Sequence, residues 1–414
     1  MKKVDIVYSG WLEAPNGASK FLSGLKCSAD SFSDLNVDMN IISKGDYKAW
    51  STNYNFGKVE SKETLRTRIF SMAKRTTVGS LLLLYILYLK NHVYIVNKYK
   101  KENRVVDIVY FHEFFTCYAY LRRKKKGKEA ILLSLHSSGD IWGMFFETFP
   151  LLNVVWLRPL FRYLERYTFS RIDRVGFVAD YPRKKFGELY PEFPFDKTFF
   201  VYNGLETKPF IKKDRDIKSS IIQLVCVGTL CDRKNQMGIL QALASLPNDL
   251  QKRYSLTLVG DGNVRNELEN FSRKNIHTEV KFVGSVADVT SYLLTADVFI
   301  LLSKDEGLPI SILEAMRCSL PIISTQVAGI PEMIEDGKSG YLIPPDYQKL
   351  SLLLLDLLEK NVDLIGMGER SKSLFEQKFT KEKMISFYIR IFFYVYIYIF
   401  TDRRCSCILT LSRW

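Results

Sequence analysis

Two glutamates separated by seven residues, Glu306 and Glu314, are the side chains in this sequence best placed to do chemistry. Carboxylates accept hydrogen bonds from ligand hydroxyls, and they stabilise positive charge that develops during a reaction. An unbroken apolar run, residues 298–302, precedes the pair and is typical of a parallel strand buried on both faces. A polar loop, residues 303–307, follows it, and Pro309 suits the first position of a helix.

This strand, loop and helix predict a ligand site. The carboxyl end of a parallel strand opens into a crevice, and the amides of residues 307–310 at a helix N-terminus can hold an anion. Glu314 then lies about five residues into the helix, roughly 7 Å from the anion at 1.5 Å per residue. That distance is near the span from a nucleotide phosphate to its ribose hydroxyls. An isolated pair of glutamates is usually only solvated, but the strand, glycine and proline around this pair favour a site.

The two glutamates, with Glu-Gly-Leu-Pro at 306–309 and Glu-Ala-Met at 314–316, resemble the nucleotide-sugar site of the group 1 family of retaining GT-B glycosyltransferases. The resemblance implies that Glu314 grips the donor ribose and that Glu306 faces the donor sugar and is catalytic. It places Gly307, Leu308 and Pro309 in the donor site. It also implies an α/β fold of two Rossmann-like domains whose parallel sheets face each other across a cleft.

A second candidate element begins at residues 221–227, an apolar strand that ends in Gly228. A glycine at a strand end, followed by basic residues before a helix, can clamp a diphosphate. The family pattern has an arginine one residue after this glycine and a lysine five residues after the arginine. Lys234 keeps the lysine, but Thr229 occupies the arginine position. Either Arg233 supplies the missing charge or the clamp is weaker.

The first half of the chain offers two further residues by the same resemblance. Gly17 matches the second glycine of a pair that lies against the donor phosphates and the acceptor, although Asn16 replaces the first glycine. His136 follows the strand at 131–135 and matches a first-domain histidine that contacts the donor sugar and the acceptor region. The alternatives are an ordinary turn glycine and a structural histidine. His112, after the strand at 105–110, is a weaker candidate of the same kind.

Short apolar runs alternate with helix-compatible segments throughout, which is typical of an α/β chain. Predicted strands in the first half are residues 4–8, 37–42, 105–110, 131–135, 172–178 and 198–202. We expect an acceptor-side domain over 1–205, a linker over 206–220, a nucleotide-sugar domain over 221–380 and a tail over 381–414 that forms a helix crossing back to the first domain. Residues beyond 391 depart from the family pattern, through a hydrophobic ending or an altered reading frame.

Composition limits the partners. The formal net charge of +14 favours an acidic partner, and nucleotide sugars, anionic lipid and nucleic acid all qualify. The aromatic residues are not interleaved with the basic ones in the manner of a nucleic-acid platform, so no nucleic-acid partner is predicted. Seven cysteines without a Cys-x-x-Cys pair suggest reduced thiols in a cytosol.

Membrane association is expected to be peripheral. Residues 81–89 suit either an amphipathic segment on an anionic membrane or a buried helix, and residues 122–126 form a basic run. Lys90, Asn91 and His92 interrupt the longest apolar stretch, so no spanning helix is expected. A strand rather than an apolar leader follows Met1, so no signal peptide is expected either. These features predict a cytoplasmic protein on the inner face of a membrane.

We therefore expect a retaining, metal-independent glycosyltransferase without a cofactor, which moves a sugar from a nucleotide diphosphate sugar to a glycan or lipid-linked acceptor in cell-surface polysaccharide synthesis. No metal ligands are predicted, because no apolar strand delivers Asp214 and Asp216, which stand in the polar linker, to a site. The alternatives are a nucleotide-sugar epimerase of similar architecture and a catalytically silent module that binds sugar nucleotides or membranes.

Overall fold

A computed structural model describes residues 1–12, 17–45, 72–123, 127–210, 221–360 and 362–400 of the chain. The chain divides into two compact units. The first unit consists of Met1–Val201 with Met384–Trp414, and the second unit consists of Tyr202–Lys383. The predicted linker at 206–220 begins inside the second unit, and its residues 211–220 lie outside the described part of the chain.

The first unit is built on a six-stranded parallel sheet in the order β2-β1-β3-β4-β5-β6. Its strands are β1 Lys2–Val7, β2 Val37–Ile42, β3 Ile108–Phe111, β4 Ala130–Leu135, β5 Arg174–Phe177 and β6 Thr198–Phe200. Strand β3 starts three residues later than predicted. Val105 is 85% exposed, so it does not belong to the buried run that forms the strand.

The second unit is built on another six-stranded parallel sheet, in the order β12-β11-β10-β7-β8-β9. Its strands are β7 Ile222–Val227, β8 Tyr254–Val259, β9 Val280–Gly284, β10 Val298–Leu301, β11 Ile322–Thr325 and β12 Gly340–Ile343. Strand β11, which the sequence analysis did not identify, lies beside β10. The predicted run at 298–302 is the central strand β10, and every one of its residues is buried.

Helices connect the strands. In the first unit the α-helices are Gly17–Lys26, Ala29–Ser33, Thr77–Leu87, Tyr94–Lys101, Phe114–Leu121, Gly143–Thr148, Arg158–Phe169 and Asp180–Leu189. In the second unit they are Gln236–Ala244, Asn248–Gln251, Arg265–Asn275, Thr290–Thr295, Ile310–Arg317, Tyr347–Glu359 and Leu364–Lys378. A final helix, Lys381–Phe400, begins at the end of the second unit and continues into the first. Short 3₁₀ turns include Asp232–Lys234 and Pro150–Leu152.

Strand order determines where a ligand can bind. In a doubly wound parallel sheet, ligands bind beyond the carboxyl ends of the strands, where the direction of winding reverses. In the second sheet β7 lies between β8, which follows it in the chain, and β10, which follows after a long crossover. The reversal point therefore lies between the ends of β7 and β10. In the first sheet the corresponding point lies between β1 and β3.

The last helix completes the core of the first unit. Tyr388, Phe392 and Val395 on its inner face are buried, and they pack in one apolar cluster with Val4 and Ile6 of β1. Burial of such side chains stabilises the folded unit by about 1.5–3 kcal/mol each. The apolar residues from 391 to 395 therefore have a packing role. Residues 401–414 lie outside the described part.

One helical segment of the first unit is long and apolar enough to cross a membrane by length and composition alone. It covers Thr77–Lys101, 25 residues with a mean hydropathy of 1.4. Lys90, Asn91 and His92, which interrupt the apolar run in the sequence, lie within this helical segment. The backbone passes through them as one π-helical turn, Tyr88–Val93, because polar side chains do not break a helix as proline does.

Candidate active site

Glu306 lies in the loop after β10, and its buried carboxylate contacts two cationic side chains. Its side chain is 8% exposed, and its Oε1 lies 2.5 Å from Lys234 Nζ and 3.2 Å from an Arg233 guanidinium nitrogen. Ser303 Oγ donates a hydrogen bond of 2.8 Å to the same oxygen. We call these four residues the Glu306 cluster. Because β7 and β10 are neighbours, the cluster stands at the reversal point of the second sheet.

The two cations of the cluster keep its carboxylate ionised. Burial by itself raises the pKa of Glu306, but the neighbouring Lys234 and Arg233 outweigh it, and the pKa of this carboxyl is held below its ordinary value. Glu306 is therefore ionised at neutral pH. A buried carboxylate of this kind is tolerated only when it is paired and hydrogen-bonded, and here it is both.

Local backbone contacts bring the basic residues to the site. After β7 the chain forms the 3₁₀ turn Asp232–Lys234, and the Lys304 amide donates to the Arg233 carbonyl at 2.8 Å. The Arg233 guanidinium in turn donates to the Asp305 carbonyl at 2.7 Å. The loops that follow β7 and β10 are thus held together by backbone groups as well as by the ion pairs.

The sequence left open whether Arg233 replaces the arginine that is missing at position 229 or whether the diphosphate clamp is weaker. Thr229 is exposed, whereas Arg233 reaches Glu306 from four residues further along the chain. The second positive charge is therefore present in the Glu306 cluster. Gln236 holds the loop that begins at Gly228, because its side-chain amide donates to the Thr229 carbonyl at 2.9 Å.

Two glycines after β8 allow the loops beyond β7 and β8 to approach closely. A Cβ on Gly260 would lie 2.0 Å from the Gly228 carbonyl oxygen, and a Cβ on Gly262 would lie 2.0 Å from that of Leu230. Real Cβ atoms do not approach backbone that closely, so only glycine fits at these positions. A Gly-x-Gly alone is weak evidence in a sequence, but here it shapes the rim of the candidate site.

The helix Ile310–Arg317 carries the second glutamate. Pro309 is its N-cap, with φ −68° and ψ 119°, rather than its first helical residue, so the prediction for Pro309 is wrong by one position. The Gly307 carbonyl accepts from the Gly329 amide at 3.1 Å, and the Leu308 carbonyl accepts from the Asn203 side chain at 3.2 Å. Glu314 is 9% exposed in the middle of this helix.

The structure thus brings Gly228, Arg233, Lys234 and the segment from Glu306 to Glu314 to one end of the second sheet. The sequence analysis omitted three supporting residues from the site: Ser303, Gln236 and Asn203. Ser303 was detectable as the first polar residue after an apolar strand. The hydrogen bonds of Gln236 and Asn203 connect separate loops, and a single sequence carries no signal for them.

His136 lies in the first unit after β4 and is paired with His112. His112 Nδ1 and His136 Nε2 are 2.9 Å apart, so one ring donates a hydrogen bond and the other accepts it. Burial lowers the pKa of His136 to about 4, and burial together with His136 lowers that of His112. Both imidazoles are therefore neutral at pH 7, and His136 can act as a hydrogen-bonding group rather than as a cation.

Gly17 also belongs to the first unit, where it begins the helix Gly17–Lys26 after β1. Asn16, its neighbour in the predicted pair, lies outside the described residues. At the same end of the sheet, Glu113 accepts from the Ser9 amide and the Ser9 hydroxyl, each at 2.8 Å. Glu113 thereby joins the loops after β1 and β3, at the reversal point of the first sheet.

Within the described ranges, no group of three or more histidine, cysteine, aspartate or glutamate side chains is arranged to hold a metal ion. Asp214 and Asp216 of the predicted linker lie outside those ranges. Five cysteines fall within them, Cys27, Cys117, Cys226, Cys231 and Cys318, and these five are not joined in disulfide bonds.

Two parallel six-stranded sheets with this cluster of charges at the reversal point define a protein of the GT-B fold. Residues 207–374 match the family model for Glycosyl transferases group 1, the family that the sequence analysis identified by resemblance. Among solved structures, Anabaena HepE in complex with UDP and glucose is similar over 94% of this chain and 99% of its own, with a TM-score of 0.67 and 16% identity. At that identity the likeness concerns the fold.

Curated relatives share more sequence over shorter lengths. The chain is 31% identical over 203 residues to N-acetyl-alpha-D-glucosaminyl L-malate synthase of Bacillus anthracis, covering 47% of this chain and 52% of the relative. It is 27% identical over 285 residues to an alpha-1,4-N-acetyl-D-galactosaminyltransferase of Campylobacter jejuni that is named for an undecaprenol-linked sugar, covering 62% of this chain and 77% of the relative. The chain thus spans about half the length of the first of these relatives.

Proposed function

We propose that this protein is a retaining glycosyltransferase that uses a nucleotide diphosphate sugar and acts on a glycan or lipid-linked acceptor in cell-surface polysaccharide synthesis. The observation that carries the proposal is the Glu306 cluster, in which a buried carboxylate and two cations meet at the reversal point of the second sheet. The family of residues 207–374 supports the same activity.

In the proposed reaction the two signs of charge have separate tasks. The bond between the sugar anomeric carbon and the diphosphate oxygen breaks, so negative charge grows on the diphosphate and positive charge on the sugar. Lys234 and Arg233 stabilise the leaving diphosphate, together with the amides at the N-terminus of the helix Ile310–Arg317. Glu306 stabilises the positive sugar, and Glu314 holds the ribose hydroxyls.

We propose that the configuration of the anomeric carbon is retained without a covalent sugar-enzyme intermediate, and we assign no side chain as a nucleophile. The acceptor hydroxyl attacks the sugar from the face that the diphosphate leaves. The new bond joins the acceptor oxygen to the anomeric carbon, and the hydroxyl proton passes to the departing phosphate oxygen. His136, neutral at pH 7, contributes hydrogen bonds to the sugar or acceptor rather than a charge.

The relatives support the classes of donor and acceptor. The HepE structure contains UDP and glucose, and the Campylobacter relative is named for an undecaprenol-linked acceptor. We therefore propose a UDP-sugar as the donor to test first and a polyprenyl-linked sugar as the first acceptor. A lipid-linked acceptor requires access to a membrane surface, and on this ground we propose a cytoplasmic protein at the inner face of a membrane.

The deciding experiment has two parts. A thermal-shift panel of nucleotide sugars identifies the donor, because a ligand that binds only the folded protein raises its stability by about 2.7 kcal/mol at 100 times its Kd. Nucleotide release is then measured with and without a polyprenyl-linked acceptor. A transferase releases nucleotide faster with acceptor, whereas an epimerase interconverts free donor and a silent module binds without turnover. Binding of no nucleotide sugar at all would contradict the proposal.

A further inference from the structure

We propose that the first unit carries an anionic-lipid docking surface on the helix Arg158–Phe169 and the turn before it. Arg122, the first residue of the basic run at 122–126, borders this surface, with its guanidinium carbon 5.8 Å from the centroid of the Tyr167 ring. The proposal deepens the membrane association proposed above. Its elements are a face of arginines, Arg158, Arg162, Arg166 and Arg171, which we call the arginine face, and a set of exposed apolar side chains beside it. The occupant is a membrane with negatively charged phospholipid headgroups.

The arginine face concentrates positive charge on one side of the helix. Arg158, Arg162 and Arg166 follow at intervals of four residues, so they share one side of the helix, and all three are exposed. None of the three makes a salt bridge with a carboxylate in the described part of the chain. Arg171, at the helix end, stacks on the Tyr167 ring with its guanidinium carbon 3.9 Å from the centroid.

The only acidic residue of this helix borders that face, because it lines a second groove together with Arg158 and Arg162. Glu165 is 9% exposed and accepts a hydrogen bond from the indole nitrogen of the buried Trp142. Burial raises the pKa of Glu165 and the nearby Arg162 lowers it, so this carboxylate offsets part of the charge of one of the four arginines. The arginines line a groove of about 740 Å³ with Tyr163 and Tyr167 between them. Several cations around such a groove suit phosphate groups, which arginine binds with two parallel hydrogen bonds.

Exposed apolar side chains adjoin the charge. Val155 is 72% exposed, Trp156 64% and Leu160 42%, immediately before and within the first turn of the helix. Tryptophan prefers the interface between lipid and water, and basic residues beside apolar ones are typical of helices that lie on membranes. Exposure of three neighbouring apolar side chains to water is unfavourable, so we infer that a partner covers them.

The surface continues onto the long apolar helix. Thr77–Leu87 packs against the turn Pro150–Leu152, whose Leu151 is 38% exposed. On that helix Val78 is 76% exposed and Leu82 is 58% exposed, whereas its other leucines pack partly into the core. The turn that carries Leu151 therefore connects this helix to the segment just before Arg158.

The apolar part favours a membrane over a nucleic acid. A nucleic acid satisfies arginines and aromatic rings, but Val78, Leu82 and Val155 gain nothing from phosphates or bases. In lipid each of these side chains loses contact with water, which is favourable in proportion to the area removed. Charge attracts the protein to anionic headgroups, and the apolar side chains retain it there.

The test is co-sedimentation of the full chain with vesicles of phosphatidylcholine, with or without phosphatidylglycerol. Arg158→Gln, Arg162→Gln and Arg166→Gln are combined in one variant, and three exposed lysines of the second unit, Lys252, Lys274 and Lys349, are changed to Gln in a control with the same net charge. Each basic residue near an anionic surface contributes about a fivefold change in partitioning, so the triple arginine variant should bind about 100-fold more weakly. The control should lose little beyond the general effect of net charge.

Trp156→Ser separates the apolar contribution, because it should weaken binding without changing the salt dependence. Equal losses in the arginine and lysine variants would overturn the proposal, since net charge would then explain the attraction. Binding that persists in high salt with all three arginines replaced would also overturn it. Binding to single-stranded DNA that competes fully with vesicles and ignores Trp156→Ser would mark a nucleic-acid surface instead. Nucleotide-sugar binding, measured by thermal shift on the same samples, should be unchanged, so failure of the lipid proposal is distinguishable from failure of the proposed enzyme.

Discussion

Glu306→Gln should slow turnover and tighten nucleotide binding at once. In the structure the Glu306 carboxylate competes for Lys234 and Arg233, the same cations that we assign to the donor diphosphate. Glutamine keeps the shape of the side chain and an acceptor oxygen for Ser303, but it removes the charge. Lys234 and Arg233 are then available to the diphosphate alone, and the positive charge that develops on the sugar is no longer stabilised by a carboxylate.

The magnitudes follow from the geometry. At 2.5 Å and an effective dielectric constant of about 20, the attraction between Glu306 and Lys234 is about 6–7 kcal/mol before desolvation. Desolvation offsets most of this in a buried pair. If about 1.4 kcal/mol remains to oppose the diphosphate, its removal tightens UDP binding about tenfold. Loss of one preorganised electrostatic contact in the transition state lowers kcat by about 10²-fold or more.

The assay is isothermal titration of UDP together with steady-state kinetics of donor hydrolysis and transfer. Glu267→Gln, on the exposed side of the helix Arg265–Asn275, makes the same chemical change away from the cluster and should alter neither quantity. The melting temperature reports whether the unpaired cations disturb the fold. If UDP affinity and kcat both fall with the fold intact, Glu306 serves to position Lys234 and Arg233. That result would refute the idea that Glu306 competes with the diphosphate for these cations. If neither changes, the cluster is not the active site.

The remaining expectations test other parts of the structure. Glu314→Gln should raise KM for the donor more than it lowers kcat, since a ribose contact serves ground state and transition state alike; a purely kcat effect in steady-state kinetics would contradict that role. EDTA should leave transfer intact, and loss of activity restored by magnesium or manganese would oppose the charge scheme. The pKa of His136 is about 4 in the folded protein against an ordinary 6.5, so between these pH values the unfolded chain binds a proton that the folded chain does not. Up to about 3 kcal/mol of folding stability should therefore be lost as pH falls from 6.5 towards 4. In thermal melts, the stability of His136→Asn should depend less on pH than that of the wild-type protein. Gly262→Ala should cost about 1–3 kcal/mol by overpacking, whereas Gly24→Ala, where nothing lies within 4 Å of the new Cβ, should be neutral or stabilising in denaturant unfolding.

Local patterns made much of the candidate site predictable. The apolar run before Ser303 and the Gly307 and Pro309 that follow it specify a buried strand, a loop and a helix within about twenty residues. That segment folds as predicted except at the cap. The basic residues after β7 were identifiable for the same reason, because a glycine and a turn follow an apolar strand.

The pairing of charges was not predictable from these patterns. Glu306 meets Lys234 only because β10 pairs with β7 across a crossover that includes two other strands, and strand order is a property of the whole sheet. Likewise, His112 was rated a weak candidate and His136 a stronger one, yet the two rings share a hydrogen bond because β3 and β4 are neighbours. The sequence analysis predicted a helical tail but left open whether the residues beyond 391 were a hydrophobic ending or an altered reading frame, since nothing in the sequence shows that their aromatic side chains have a core to enter.

That last helix has a consequence for synthesis on the ribosome. The core of the first unit lacks Tyr388, Phe392 and Val395 until almost the entire chain has been made, since the whole second unit is translated in between. At roughly 5–20 residues per second, this interval is on the order of ten seconds or more. During it the apolar side chains of β1 that await the helix are open to water and to other nascent chains. The second unit, whose segment is continuous, has no such delay, so it should reach its final fold before the unit that begins the polypeptide.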